Sequence, residues 1–125
     1  MIPLKTAIKS TLIIDQDEYN NNVLKSIFRE KGLSLDTVSE KIDYIEMIEN
    51  NRYDCIIIDS DLPNNQTAIS IDEIKGNYPW MIVVVLLKDM NYEKIIKYVR
   101  LGADDFIMKP FSWDDIEVLL KHYYY

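Results

Sequence analysis

Apolar residues fall along this chain in two alternating rhythms. Unbroken runs, Leu12-Ile13-Ile14, Cys55-Ile56-Ile57-Ile58 and 81–87, are each bounded by polar residues. Short β-branched runs of this kind predict strands buried on both faces, as in a parallel sheet. Between them the period lengthens. Val23, Leu24, Ile27 and Phe28 predict a helix over 18–31, with Gly32 placed to cap its C-terminus. Residues 33–38 alternate polar and apolar, as an edge strand would. Ile42, Ile45 and Ile48 mark a second helix ending near Asn50-Asn51.

The second half repeats the scheme. After Pro63 a polar loop, 64–67, leads to a short helix carrying Ile71 and Ile74. Ser70 and Glu73 suggest a capping box, leaving scarcely two turns before Gly76 and Pro79. A helix over 91–101 is expected to face Ile95, Ile96 and Val99 inward. Phe106-Ile107-Met108 reads as a last short strand. Ser112 then caps a closing helix on which Ile116, Leu119 and Leu120 share a face.

Five strands alternating with five helices predict an α/β fold, a doubly wound five-stranded parallel sheet. Right-handed crossovers in the order 2-1-3-4-5 set strands one and three side by side. The 125 residues suffice for one domain, 1–125, with 1–9 an irregular lead-in. A net charge of −7 with no basic stripe argues against direct nucleic-acid binding. No apolar run is long enough for a membrane span, and Met1-Ile2-Pro3-Leu4-Lys5 lacks the pattern of a signal peptide. The lone Cys55 sits in a core strand, and a cytoplasmic setting is expected.

The strand order gathers polar residues on one rim. Asp15, Gln16 and Asp17 follow strand one; Asp59 and Asp61 follow strand three; Leu87-Lys88 follow strand four; Lys109 follows strand five. In open α/β sheets that rim binds ligands. Converging carboxylates repel unless a cation joins them, and Mg²⁺ does so through oxygen ligands. A carboxylate beside Mg²⁺ and a lysine is a candidate nucleophile toward a phosphoryl group. Taken singly, the aspartates also suit turns, and Lys109 suits a surface lysine.

From strand one to the last helix the chain resembles the receiver domain of two-component response regulators, a CheY-like, flavodoxin-like fold. The matching pieces are Leu12-Ile13-Ile14-Asp15, Ile57-Ile58-Asp59 with Pro63, Gly102-Ala103-Asp104-Asp105-Phe106 and Lys109-Pro110-Phe111-Ser112. The resemblance implies that Asp59 is the phosphoacceptor and that Lys109 contacts the phosphoryl group. It implies that Asp15 belongs to an acidic Mg²⁺-binding pair, and that Asp61 lends its backbone carbonyl. It suggests a cis peptide before Pro110. A sensor histidine kinase or other signalling protein is the implied partner, with an output domain beyond residue 125 as a further expectation.

The sequence departs from the family at several positions. Gln16 stands where the second acid of the pair belongs, with Asp17 one residue away, so weak Mg²⁺ binding is expected. Leu87, followed by Lys88, occupies the switch position where the family carries Ser or Thr. Phe106 fills the switch aromatic position without a hydroxyl. Thr67 stands near a position usually held by a small residue, and the third helix reads as truncated. Asp104-Asp105 are shared with receivers that dimerise through their last two helices and strand. Two readings of a different class stay open beside the receiver: a phosphoaspartyl-type Mg²⁺-dependent hydrolase, from Asp59-Ser60-Asp61, and a flavodoxin-like cofactor binder.

Overall fold

The computed structural model describes residues 10–38 and 41–123. The lead-in over 1–9, the Ile42 and Leu120 side chains, Tyr124 and Tyr125 lie outside the described residues. Strands β1 (Ser10–Ile14), β2 (Ser34–Val38), β3 (Cys55–Asp59), β4 (Ile82–Leu87) and β5 (Asp105–Met108) alternate with five helices. These are α1 (Glu18–Glu30), α2 (Lys41–Asn50), α3 (Gln66–Asn77), α4 (Tyr92–Leu101) and α5 (Trp113–Tyr123). The strands form one parallel sheet in the order β2-β1-β3-β4-β5, as the pattern predicts.

The two-residue period of a strand sends alternate side chains to opposite faces, and each face builds its own core. Leu12, Ile14, Ile56, Ile58, Val83, Val85 and Leu87 pack with Tyr44, Ile48, Ile71, Ile74 and Tyr98 of α2, α3 and α4. Ile13, Cys55, Ile57, Val84 and Leu86 pack with Leu24, Ile27, Phe28, Ile116 and Leu119 of α1 and α5. The register pairs Ile14 with Ile58 and Asp59 with Leu86, so the ends of β1, β3 and β4 lie level at the rim.

Three expectations are corrected. Helix α3 is not truncated: it begins at Gln66 and runs 12 residues. Asn64 and Asn65, both at φ 58°, turn the chain into it directly after Pro63. Gln66, Thr67 and Ser70 are buried polar residues inside the helix. Their polarity gives the segment the look of a loop, but hydrogen bonds make burial tolerable. Gln66 Nε2 donates to Ser70 Oγ (2.8 Å), and Glu73 accepts from the Tyr44 hydroxyl (2.8 Å), so Ser70 and Glu73 form no capping box. On α4, Ile96 and Val99 face outward, about half exposed. The helix instead meets the core along Ile95, Tyr98 and Leu101, a narrow i, i+3, i+6 stripe.

Helix ends follow the expected chemistry. Asp17 caps α1 by accepting from the backbone N–H of Tyr19 and Asn20. Ser112 and Asp115 cap α5 reciprocally, each accepting from the other's backbone N–H. Gly102 ends α4 at φ 113°, a conformation favoured by glycine. There Lys75 of α3 crosses the glycine to pair with Asp104 at 2.8 Å and to donate to the Met81 carbonyl.

Candidate functional site

The buried end of β1 and the end of β3 present Asp15 and Asp59 side by side. Asp15 is 1% exposed and Asp59 8%. Both sit at strand termini because the apolar run preceding each fills the sheet, leaving the carboxylate at the first position beyond it or at its last. Lys109, delivered by the turn after β5, places its ammonium between them, 2.8 Å from Asp15 Oδ2 and 3.1 Å from Asp59 Oδ1. The turn is fixed by two features: a cis Lys109-Pro110 peptide and a 2.7 Å bond from the Lys109 N–H to the Leu87 carbonyl. The remaining Asp15 oxygen, Oδ1, accepts the Asp17 N–H at 3.0 Å.

Burial raises the Asp59 pKa above its ordinary value, Asp15 repulsion adds to the rise, and Lys109 opposes it. Burial alone would lower the Lys109 pKa, but its bonds and charge attraction to Asp15 and Asp59 outweigh burial and raise it. Two carboxylates therefore share one fixed cation and still repel. Their oxygens are the hard donors that Mg²⁺ prefers, and a divalent cation would relieve the remaining repulsion. The donor set fits the ion, with few charged ligands to hold it.

The other expected residues divide. Gln16 is exposed at the rim, and Asp17 spends its carboxylate on the start of α1, including a 2.8 Å bond from Asn20 Nδ2. The Asp61 side chain pairs with Lys94 of α4 at 3.1 Å. Leu87 is 2% exposed within the α2–α4 core, and Phe106 packs half-buried against that cluster. Lys88 is exposed, and the cation seated on Asp59 is Lys109. Asp104 and Asp105 engage their own chain: Asp104 through Lys75 and the Val83 N–H, Asp105 through the Tyr123 hydroxyl at 3.2 Å.

Two residues at the site escape a sequence reading. The Thr67 hydroxyl donates to the Asp59 backbone carbonyl at 2.7 Å, and the Tyr98 hydroxyl donates to the Ser60 carbonyl at 3.1 Å. Thr67 hides in the polar stretch that reads as loop. The signal for Tyr98 is its spacing, three residues from both Ile95 and Leu101.

The chain is similar to known proteins over most of its length. The family model of the response regulator receiver domain matches residues 11–121. The transcription factor SKN7 of Saccharomyces cerevisiae is 23% identical over 112 residues, covering 90% of this chain and 18% of that protein. A putative NtrX-like response regulator of Rickettsia bellii is 27% identical over 112 residues, covering 88% of this chain and 23% of its own length. The chain thus spans about a fifth of the length of these curated relatives. A two-component response regulator from Clostridium difficile superposes with a TM-score of 0.84 at 25% identity, covering 91% of this chain and 93% of that one. The beryllofluoride-activated NtrC4 receiver domain does so at 0.84 and 27% identity, covering 92% and 95%. With the rim geometry and a match over nearly the whole chain, this protein belongs to the response regulator receiver domain family.

Proposed function

We propose that Asp59 accepts a phosphoryl group from a sensor histidine kinase and that the β4 tip transmits the event weakly. The observation that carries the first part is the Lys109 ammonium, 2.8 Å from Asp15 and 3.1 Å from Asp59. An Asp59 oxygen attacks phosphorus; the P–N bond to the donor imidazole breaks, and the imidazole takes a proton from solvent. Lys109 offsets charge on the phosphoryl oxygens, where catalysis is mainly positioning and electrostatics. Mg²⁺ would be held by Asp15 and Asp59, with the Gln16 amide and the Asp61 backbone carbonyl as neutral donors, and would supply further positive charge to the phosphoryl oxygens. Asp15 and the Asp17 N–H orient the acidic corner.

The second part rests on Leu87. A hydroxyl at this position would bond the new phosphoryl oxygen, and a hydrogen bond to a charged group contributes roughly 1.5–3 kcal/mol. Leu87 lies in the apolar core and offers no such bond. Relatives several times longer support an output region or partner protein as the target, and a buried thiol at Cys55 supports a cytoplasmic setting.

Incubation with a small phosphodonor and Mg²⁺ should add one phosphoryl group by intact mass, and Asp59→Asn should abolish it. An unmodified protein at saturating donor, or an adduct that survives Asp59→Asn, would overturn the assignment. For the β4 tip, beryllofluoride should shift the amides of 87–91 little in the native protein and more in Leu87→Thr. Large native shifts at that tip would defeat the weak-switch reading.

A further inference from the structure

Helix α4 is joined to the segment after Asp59 at three points. The Tyr98 hydroxyl bonds the Ser60 carbonyl at 3.1 Å, Lys94 pairs with Asp61 at 3.1 Å, and Lys97 Nζ donates to Asn65 Oδ1 at 2.9 Å. All three partners lie within residues 60–65. The two lysine contacts are exposed, whereas Tyr98 is 5% exposed and is the one fully buried residue of α4 among the described residues. On α3, the Thr67 hydroxyl holds the Asp59 carbonyl at 2.7 Å. The backbone carbonyls of the expected phosphoacceptor and of its neighbour are therefore each capped by a side-chain hydroxyl from a different helix. Neither cap involves β4 or the Leu87 position.

We infer that Tyr98 is a positioning residue that couples α4 to the phosphoacceptor segment, a route that runs through α3 and α4 instead of the β4 tip. This rests on the proposed role of Asp59. A phosphoryl group on Asp59 competes for Lys109 and adds negative charge beside residues 59–61. Any adjustment of that backbone alters the two carbonyls that Thr67 and Tyr98 hold. Because the Tyr98 ring is seated in the core, its bond to Ser60 cannot be replaced by water without moving the helix. Coupling between sites is reciprocal, so deleting the Tyr98 hydroxyl must be felt both at Ser60 and along α4.

Tyr98→Phe keeps the ring and removes only the donor. Amide hydrogen exchange in the unmodified protein should quicken about fivefold in α4 and remain unchanged in α1, the equivalent of one neutral hydrogen bond. Amide shifts of Ser60, Asp61 and Thr67 should move with it. Equal acceleration in α1 and α4 would mean that Tyr98 only adds global stability, and no acceleration would mean that its bond is idle; either result overturns the inference. With beryllofluoride bound, the native protein should show shifts reaching α4, and Tyr98→Phe should show shifts that stop near Thr67. Identical α4 shifts in both proteins would also refute the coupling. Occupancy of Asp59 is read separately by fluorine NMR. If beryllofluoride does not bind, the phosphoacceptor assignment fails, and the exchange comparison, which needs no ligand, still decides the role of Tyr98.

Discussion

Helices α1 and α4 flank the same sheet and are attached to it in different proportions of area and bonds. α1 buries Leu24, Ile27 and Phe28 and, apart from its caps, reaches the end of β1 through Asn21, whose side-chain amide donates to the Asp15 carbonyl at 2.9 Å. α4 buries only Tyr98 among its described residues, leaves Ile96 and Val99 outward, and reaches residues 60–65 by one ion pair and two hydrogen bonds. Apolar burial is non-directional and roughly proportional to the area removed from water. Polar bonds weaken steeply with distance and angle. A helix fastened by bonds to one loop reports the position of that loop; a helix fastened by area does not.

The contrast can be broken first on its apolar side. Phe28→Ala should remove about 3–5 kcal/mol of global stability, read by chemical denaturation, because Phe28 is fully enclosed. Lys109→Met should cost about 3 kcal/mol at neutral pH, since two buried carboxylates lose their shared cation. The opposite charge change reverses the sign. A carboxyl whose pKa is raised on folding stabilises the fold below its ordinary pKa, and that contribution is lost as pH rises through the raised value. Asp59→Asn should therefore be more stable than the native protein above the raised Asp59 pKa, and the advantage should vanish on acidification below the ordinary carboxylate range. A Tm advantage that persists at low pH would contradict this.

On the polar side the effects are smaller. Tyr98→Phe should cost about 1 kcal/mol, concentrated in the opening of α4. Lys94→Ala should cost no more than about 0.5 kcal/mol, fading as salt is added, because both partners are over a third exposed. A large, salt-insensitive loss would show that Lys94 does more than pair with Asp61.

The same contrast explains what could be read from the sequence. The sheet order, the two cores and the helices with broad apolar stripes follow from periodicity, because burial on a repeating backbone demands a repeating sequence. The convergence of Asp15, Asp59 and Lys109 follows from strand ends meeting on one rim. What escaped were positions where polar residues are buried by hydrogen bonds. Gln66, Thr67 and Ser70 disguised the first turns of α3, and Tyr98 took the inward place that Ile96 and Val99 were expected to fill. A hydrogen bond between residues 98 and 60 leaves no period in the chain. It becomes visible only when the fold has set α4 over the loop after β3.

The crossing of Lys75 over Gly102 has a consequence in the language of substitution histories. A β-carbon at position 102 would lie 2.8 Å from Lys75 Cγ, while Lys75 is held by Asp104 and the Met81 carbonyl. Gly102→Ala therefore carries a backbone cost from φ 113° and a separate collision with a tethered side chain. Shortening residue 75 relieves only the collision, and releases Asp104 in doing so. The two positions are epistatic: neither can drift alone without cost, and the pair can change together only if Asp104 finds another partner.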